Sequence, residues 1–413
     1  MRRRNLLHLL AGGAGTAGAA LLGGCTNVYS QIVGSQNTCS TGEYGQWCHP
    51  RDSAIESVTD DSVFAIARPS DGEAGEVLSL DAESGDVQWS YGHATGQDGF
   101  ADLTVADGVY FSSCSDQGCH RLNALTIDGD ERWTRDVAAD TPMVDDGTVF
   151  VGNGAPRVHA LNQTNGATRW TTEFDGRSRA RLVAVDDVVH VSRNDALLAL
   201  DRDDGSTRWR YQVPLDGIVY DAIVENGVEY VLTTGGAAVL EDGEPRWERS
   251  FEDTTAKTRI DAVTPDLLLL SRIGRDHTFR LHALDVETGD PAWKTDRVAL
   301  PFEVGDEHVK FHDGVVYVAA NELRALDLAT GRELWSGVPG GAPVYQLLIA
   351  SESVPQEHAL LAQVGESSLA TVTLDGEERL RTSLESRIGD VVDGDYVYAA
   401  TDEAIHAVEI PDT

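Results

Sequence analysis

Lysine is almost missing from this chain, with three residues in 413: Lys257, Lys294 and Lys310. Arginine makes up the rest of the 32 positive side chains, against 68 Asp and Glu, which leaves a formal charge of −36. A surface this acidic repels phosphate backbones and excludes nucleic acid as a partner. Long uninterrupted apolar runs are absent too. The nearest candidate, between Leu6 and Gly24, is broken by glycines and too weakly apolar for a comfortable spanning helix. No Gly-x-Ser-x-Gly elbow occurs. Gly-rich pieces such as Gly152-Asn153-Gly154 and Gly235-Gly236 precede no helical pattern, so a phosphate loop has no support. No carboxylate pair stands out from the acidic background as a general acid and base. Hydrophobic residues nonetheless make up 41%. That is enough for a packed core and excludes wholesale disorder.

What is present begins with an address. Arg2-Arg3-Arg4-Asn5-Leu6-Leu7 precedes the short apolar run, which ends at Leu22-Gly23-Gly24-Cys25. The pattern resembles a twin-arginine signal peptide over residues 1–24 followed by a lipobox, with Cys25 as the lipidated first residue of the mature chain. A plain signal peptide with a coincidental cysteine is the alternative. Residues 25–42 are polar, lack strand periodicity and read as a tether. The expected location is the outer face of the cytoplasmic membrane, anchored through Cys25. The other cysteines agree with export: Cys39 lies near Cys48, and Cys114 near Cys119, so two local disulfides are the economical pairing. No histidine pattern or second thiol pair beside Cys114 and Cys119 suggests zinc. The acidic, lysine-poor composition resembles that of extreme halophiles' proteins, with an ordinary acidic protein as the alternative.

One phrase recurs through the rest of the chain. Leu326-Asp327-Leu328-Ala329-Thr330-Gly331-Arg332-Glu333-Leu334-Trp335 reads as a strand end, a tight turn and a second strand carrying Trp. The same pattern leads to Trp89, Trp170, Trp209 and Trp293, and shortened versions lead to Trp133 and Trp247. After Asp375-Gly376 the Trp slot holds Leu380. From Trp89 to Trp335 successive tryptophans are 37 to 46 residues apart. Around residues 218–251 the unit divides into four short apolar strands joined by Asn-Gly, Gly-Gly and Asp-Gly turns. Four strands about every 40 residues define an all-β propeller of four-stranded antiparallel blades, occupying residues 43–413. Counting hairpins gives nine blades. The last lacks its fourth strand, and Trp47 stands where one would, so the N-terminal segment is expected to pair with the C-terminal strands and close the ring. The eight tryptophans in one repeat position read as scaffold packed between blades.

The phrase x-Ala-Leu-Asp-x-x-x-Gly-x-x-x-Trp, as in residues 324–335 and 282–293, resembles the repeats of the pyrroloquinoline-quinone (PQQ)-like β-propeller superfamily over residues 44–410. That resemblance implies eight blades as the common number, so eight to nine is the expectation. It also implies two functional branches. One holds PQQ and Ca²⁺ at the propeller axis and oxidises substrates, typically with a disulfide between adjacent cysteines over the quinone. This chain has no Cys-Cys pair and short loops, so no catalytic residue carries over. The other branch is cofactor-free and includes lipoprotein scaffolds such as the outer-membrane assembly factor BamB. A non-catalytic scaffold for envelope or secreted proteins is therefore the leading expectation, without a cofactor. A PQQ- and Ca²⁺-dependent dehydrogenase is the alternative.

A third possibility is a ligand or cation site in the central channel. Counting six residues back from each following turn places Asp102, Thr141, Arg181, Asp221, Asp261 and His308 on the innermost strands. Three carboxylates, an Arg and a His at one level would suit Ca²⁺, Mg²⁺ or a small polar ligand. The alternative is a solvated channel wall. His159, His282 and His406 fill one slot of the third strand and read as repeat positions, not a metal site.

Overall fold

The computed structural model describes residues 39, 41, 44–67, 75–92, 99–115, 118–137, 141–152, 156–176, 180–185, 187–214, 218–251, 257–274, 278–296, 298–299, 308–337, 341–349, 360–394 and 396–409. Residues 1–24, read above as a signal peptide, Cys25 and most of the expected tether lie outside them. Among the described residues the strands form nine antiparallel sheets, and no helix is long and apolar enough to cross a membrane.

Blade 1 shows the plan: Ser53–Val58, Ser62–Ala67, Glu76–Asp81 and Val87–Gly92 pair in sequence order. Blades 2 to 8 repeat it over residues 99–135, 143–173, 181–212, 219–250, 257–294, 309–337 and 344–383. Blade 6 carries one extra pairing, Val298–Ala299 against its third strand. The sequence reading of residues 218–251 agrees with the strands Val219–Glu225, Val228–Thr233, Gly236–Glu241 and Glu244–Ser250 to within a residue or so at each end. First strands of neighbouring blades touch around the ring, including those of blades 1 and 9, so they line the centre.

Blade 9 is built from both chain ends. Ile388–Asp393, Val397–Thr401 and Ile405–Val408 supply three strands, and Gly45–His49 adds the fourth, with Trp47 opposite Ala407 and His49 opposite Ile405. Gln46 donates a hydrogen bond to Glu409 beside this seam. The Cys39–Cys48 disulfide ties the preceding segment to the closing strand. The Cys114–Cys119 disulfide spans the hairpin between the second and third strands of blade 2. Closure removes the free edge that would otherwise template pairing with another chain.

The core lies between blades instead of within them. Nine hydrophobic clusters occur, one at each junction; Trp47, Ile55, Val63 and Tyr398 mark the seam between blades 9 and 1. Each tryptophan on a fourth strand lies over the turn glycine of the next blade: Trp293 covers Gly331, and Trp335 covers Gly376. Seven of the eight indoles also donate Nε1–H to a carbonyl in that turn, at 2.7–2.9 Å. The exception to the Trp pattern has a physical cause. Leu380 of blade 8 faces blade 9, whose third and fourth strands come from opposite chain ends and have no connecting turn for an indole to cover. Leu380 instead joins Leu361, Val408 and Tyr44 in an apolar seam.

Candidate functional site

In four blades the turn that receives the neighbouring indole is held by its own aspartate, Asp81, Asp201, Asp285 or Asp327, and in blade 3 Asn162 does the same. Asp285 Oδ1 accepts hydrogen bonds from Thr288 N at 2.8 Å, Glu287 N at 3.1 Å and Thr288 Oγ1 at 2.9 Å. Asp81 repeats this with Glu83 and Ser84. These donors favour the ionised carboxylate, and in Asp81, Asp285 and Asp327 they hold the pKa below its usual value. The Asp therefore builds the turn, the Gly allows its backbone, and the Trp seals it.

The six channel residues fall into separate arrangements. Asp102 lies in a bulged first strand at positive φ (58°), and its carboxylate accepts from Thr141 Oγ1 of the next blade at 3.1 Å. Asp221 caps its own strand through Ala222 N (3.0 Å) and reaches Ile260 N in blade 6 (3.4 Å). The Asp261 side chain is fully buried, accepts from Arg259 Nε and Nη2 at 3.1 and 2.8 Å, and takes a hydrogen bond from Ser271. Arg181 begins the first strand of blade 4 and is exposed. His308 is 2% exposed, with Phe279 edge-on at 5.2 Å. Thus Asp102 meets Thr141, while Asp221 and Asp261 occupy different strand positions. The bulge in blade 5 lies at Tyr220, before Asp221, whereas in blade 6 it falls on Asp261 itself.

A bulge adds one residue and turns the following side chains over. Sequence counting therefore missed Asp390, which repeats the Asp221 arrangement in blade 9: it accepts from Val391 N at 3.0 Å and faces Gln346 Nε2 of blade 8 at 3.5 Å. Also missed was a buried pair between blades 4 and 5, His190 Nε2 and Glu229 Oε1 at 3.4 Å, both under 4% exposed. His190 replaces the Phe or Tyr that stacks on Trp elsewhere and lies 5.7 Å from Trp209. The only sequence signal was a polar residue inside each apolar second strand.

His159, His282 and His406 stand in blades 3, 6 and 9, each one residue before the small side chain opposite the blade's Trp. Burial lowers the pKa of all three. Among the described residues no group of three His, Cys, Asp or Glu is placed to hold a metal ion. The channel carboxylates direct their oxygens at protein donors, and the one hairpin disulfide near the ring joins non-adjacent cysteines. This donor set does not fit a PQQ–Ca²⁺ pair.

Fold and junction chemistry together define a nine-bladed β-propeller with Trp-on-Gly contacts at eight of its nine junctions. A family model described as outer membrane protein assembly factor BamB matches residues 120–271 and 241–411, more than half of the sequence. The chain belongs to that family. It is 26% identical over 204 residues to outer membrane protein assembly factor BamB of Yersinia pestis, covering 46% of this chain and 50% of that protein. Against BamB of Salmonella typhimurium it is 26% identical over 331 residues, covering 75% of this chain and 70% of that one. The chain therefore spans half the length of the Yersinia relative. The crystal structure of BamB from Moraxella catarrhalis is similar at 14% identity and a TM-score of 0.49, over 77% of this chain and 99% of that one.

Proposed function

We propose that this protein is a membrane-anchored extracytoplasmic scaffold that binds envelope or secreted proteins and turns over no substrate of its own. The observation that carries the reading is how the repeated phrase is used: every Asp, Gly and Trp in it serves a turn or a blade junction. What remains free to vary is loop surface on a rigid ring, the arrangement by which propellers recognise other proteins. Membership of a family described as an assembly factor supports the same reading. Lipidated Cys25 would hold the ring at the outer face of the cytoplasmic membrane, within reach of proteins leaving the cell.

The test separates scaffold from enzyme. The purified full chain is incubated with PQQ and Ca²⁺, then assayed for dye reduction with alcohols and sugars. The scaffold reading expects no retained quinone absorbance and no turnover. A retained quinone with substrate-dependent reduction would replace it with a dehydrogenase.

A further inference from the structure

Blade 3 differs from the other blades in the turn that receives its neighbour's indole. Its six residues, Asn162-Gln163-Thr164-Asn165-Gly166-Ala167, carry no charge, whereas every other receiving turn holds at least one carboxylate. Where blades 1, 4, 6 and 7 place Asp81, Asp201, Asp285 and Asp327, blade 3 places Asn162. The carboxamide keeps the acceptor half of that role: Asn162 Oδ1 takes hydrogen bonds from Thr164 N at 3.0 Å and Asn165 N at 3.1 Å. A carboxylate would hold the same donors more tightly, so the turn itself supplies no reason for asparagine.

Asparagine adds an amide nitrogen, and among the described residues Asn162 Nδ2 makes no hydrogen bond. The hydroxyl of the turn is also moved. In blades 1, 6 and 7, Ser84, Thr288 and Thr330 stand three residues after the aspartate and donate to it. In blade 3 the hydroxyl stands two residues after Asn162, on Thr164, which is exposed and whose Oγ1 has no hydrogen bond among the described residues. Asn162-Gln163-Thr164 thereby forms the Asn-x-Thr acceptor pattern of N-linked glycosylation. Of the ten asparagines in the chain, no other is followed at the second position by Ser or Thr.

The frame of this turn does not use the two side chains that the pattern needs free. Trp133 Nε1 donates to Gln163 O at 2.8 Å, and Arg135 Nε and Nη2 donate to Gly166 O and Asn165 O at 2.7 and 2.8 Å. Blade 2 therefore grips the turn by its backbone. Asn162 Nδ2 and Thr164 Oγ1 are left over at a half-buried and an exposed position.

We propose that Asn162 is an N-glycosylation site, the acceptor of a sugar delivered on a lipid phosphate by a glycosyltransferase of the cell. In the transfer, Asn162 Nδ2 loses a proton and bonds to the anomeric carbon of the sugar. The bond from that carbon to the phosphate oxygen breaks, and the lipid phosphate leaves with the electron pair. The glycan is bulky and hydrophilic. It would cover the neighbouring surface of blades 2 and 3 and leave partner proteins the other blades.

The site rests on the extracytoplasmic part of the reading above, but the two fail separately. The full chain is purified from the cells that make it and digested with trypsin, and the peptide spanning residues 158–169 is analysed by mass spectrometry. A sugar mass on Asn162 is expected. It should be lost completely in Asn162→Asp and in Thr164→Val, and kept in Asn165→Asp. Asn162→Asp controls for folding, because aspartate holds the same turn in four other blades. An unmodified Asn162 in the wild-type chain, or a sugar that survives Thr164→Val, would overturn the proposal. Chains that protease added to intact cells can digest, yet that carry no sugar at Asn162, would overturn the site and leave the extracytoplasmic reading standing. A glycosylated chain that crosslinks to no envelope or secreted protein would keep the site and overturn the scaffold.

Discussion

Gly331 meets two demands at once. Its φ of +67° disfavours any side chain, and an added Cβ would lie 2.5 Å from Trp293 Cε3. Gly314 separates the two, since its φ is +77° with nothing within 4 Å of an added Cβ. Gly314→Ala should therefore cost about 1 kcal/mol, the backbone term alone. Gly331→Ala should cost about 2–4 kcal/mol, because the indole must also move. Chemical denaturation of both variants checks this, and equal losses would show that the Trp contact adds nothing. His282 offers a second test. Its folded pKa lies near 4, below the ordinary 6.5, so the unfolded chain binds the proton first. Stability should fall as pH drops from 6.5 toward 4, and His282→Asn should flatten that slope. His49, His159 and His406 are shifted the same way and add to the loss. NMR titration of His282 should give a midpoint near 4; a midpoint near 6.5 would remove the burial account.

At the scale of the element, the blade junction explains both the rule and its exception. Restoring the repeat with Leu380→Trp should destabilise the protein by about 1–3 kcal/mol, because blade 9 has no turn glycine to receive the ring. Thermal denaturation reads this directly, and a stabilised variant would contradict the junction account. The rule was legible in the sequence because turns and tryptophans recur in the same order, and that order survives shifts of a residue or two. The channel was less legible. Its first strands contain bulges at Tyr220 and Asp261 that leave no mark in strands already rich in apolar residues. One extra residue is enough to separate Asp221 from Asp261. The His190–Glu229 pair escaped for another reason: its members lie 39 residues apart in different blades, and only the ring brings them together.

For the whole molecule, net charge sets the balance. With 68 acidic and 32 basic side chains, repulsion among uncompensated carboxylates outweighs the exposed ion pairs, each worth only about 0.2–1 kcal/mol. Raising salt from 0.1 to 1 M shortens the screening length from about 10 to about 3 Å. The melting temperature should therefore rise over that range, and a fall in calorimetry would mean that the ion pairs dominate. Ring closure through Gly45–His49 keeps the frame rigid while the loops vary, which is what a binding platform needs. The most direct test is crosslinking mass spectrometry of the full chain in the cells that make it, at native salt. The scaffold account predicts reproducible crosslinks from the propeller's loops to at least one envelope or secreted protein. A propeller that crosslinks only to itself, while supporting quinone-dependent turnover, would contradict it.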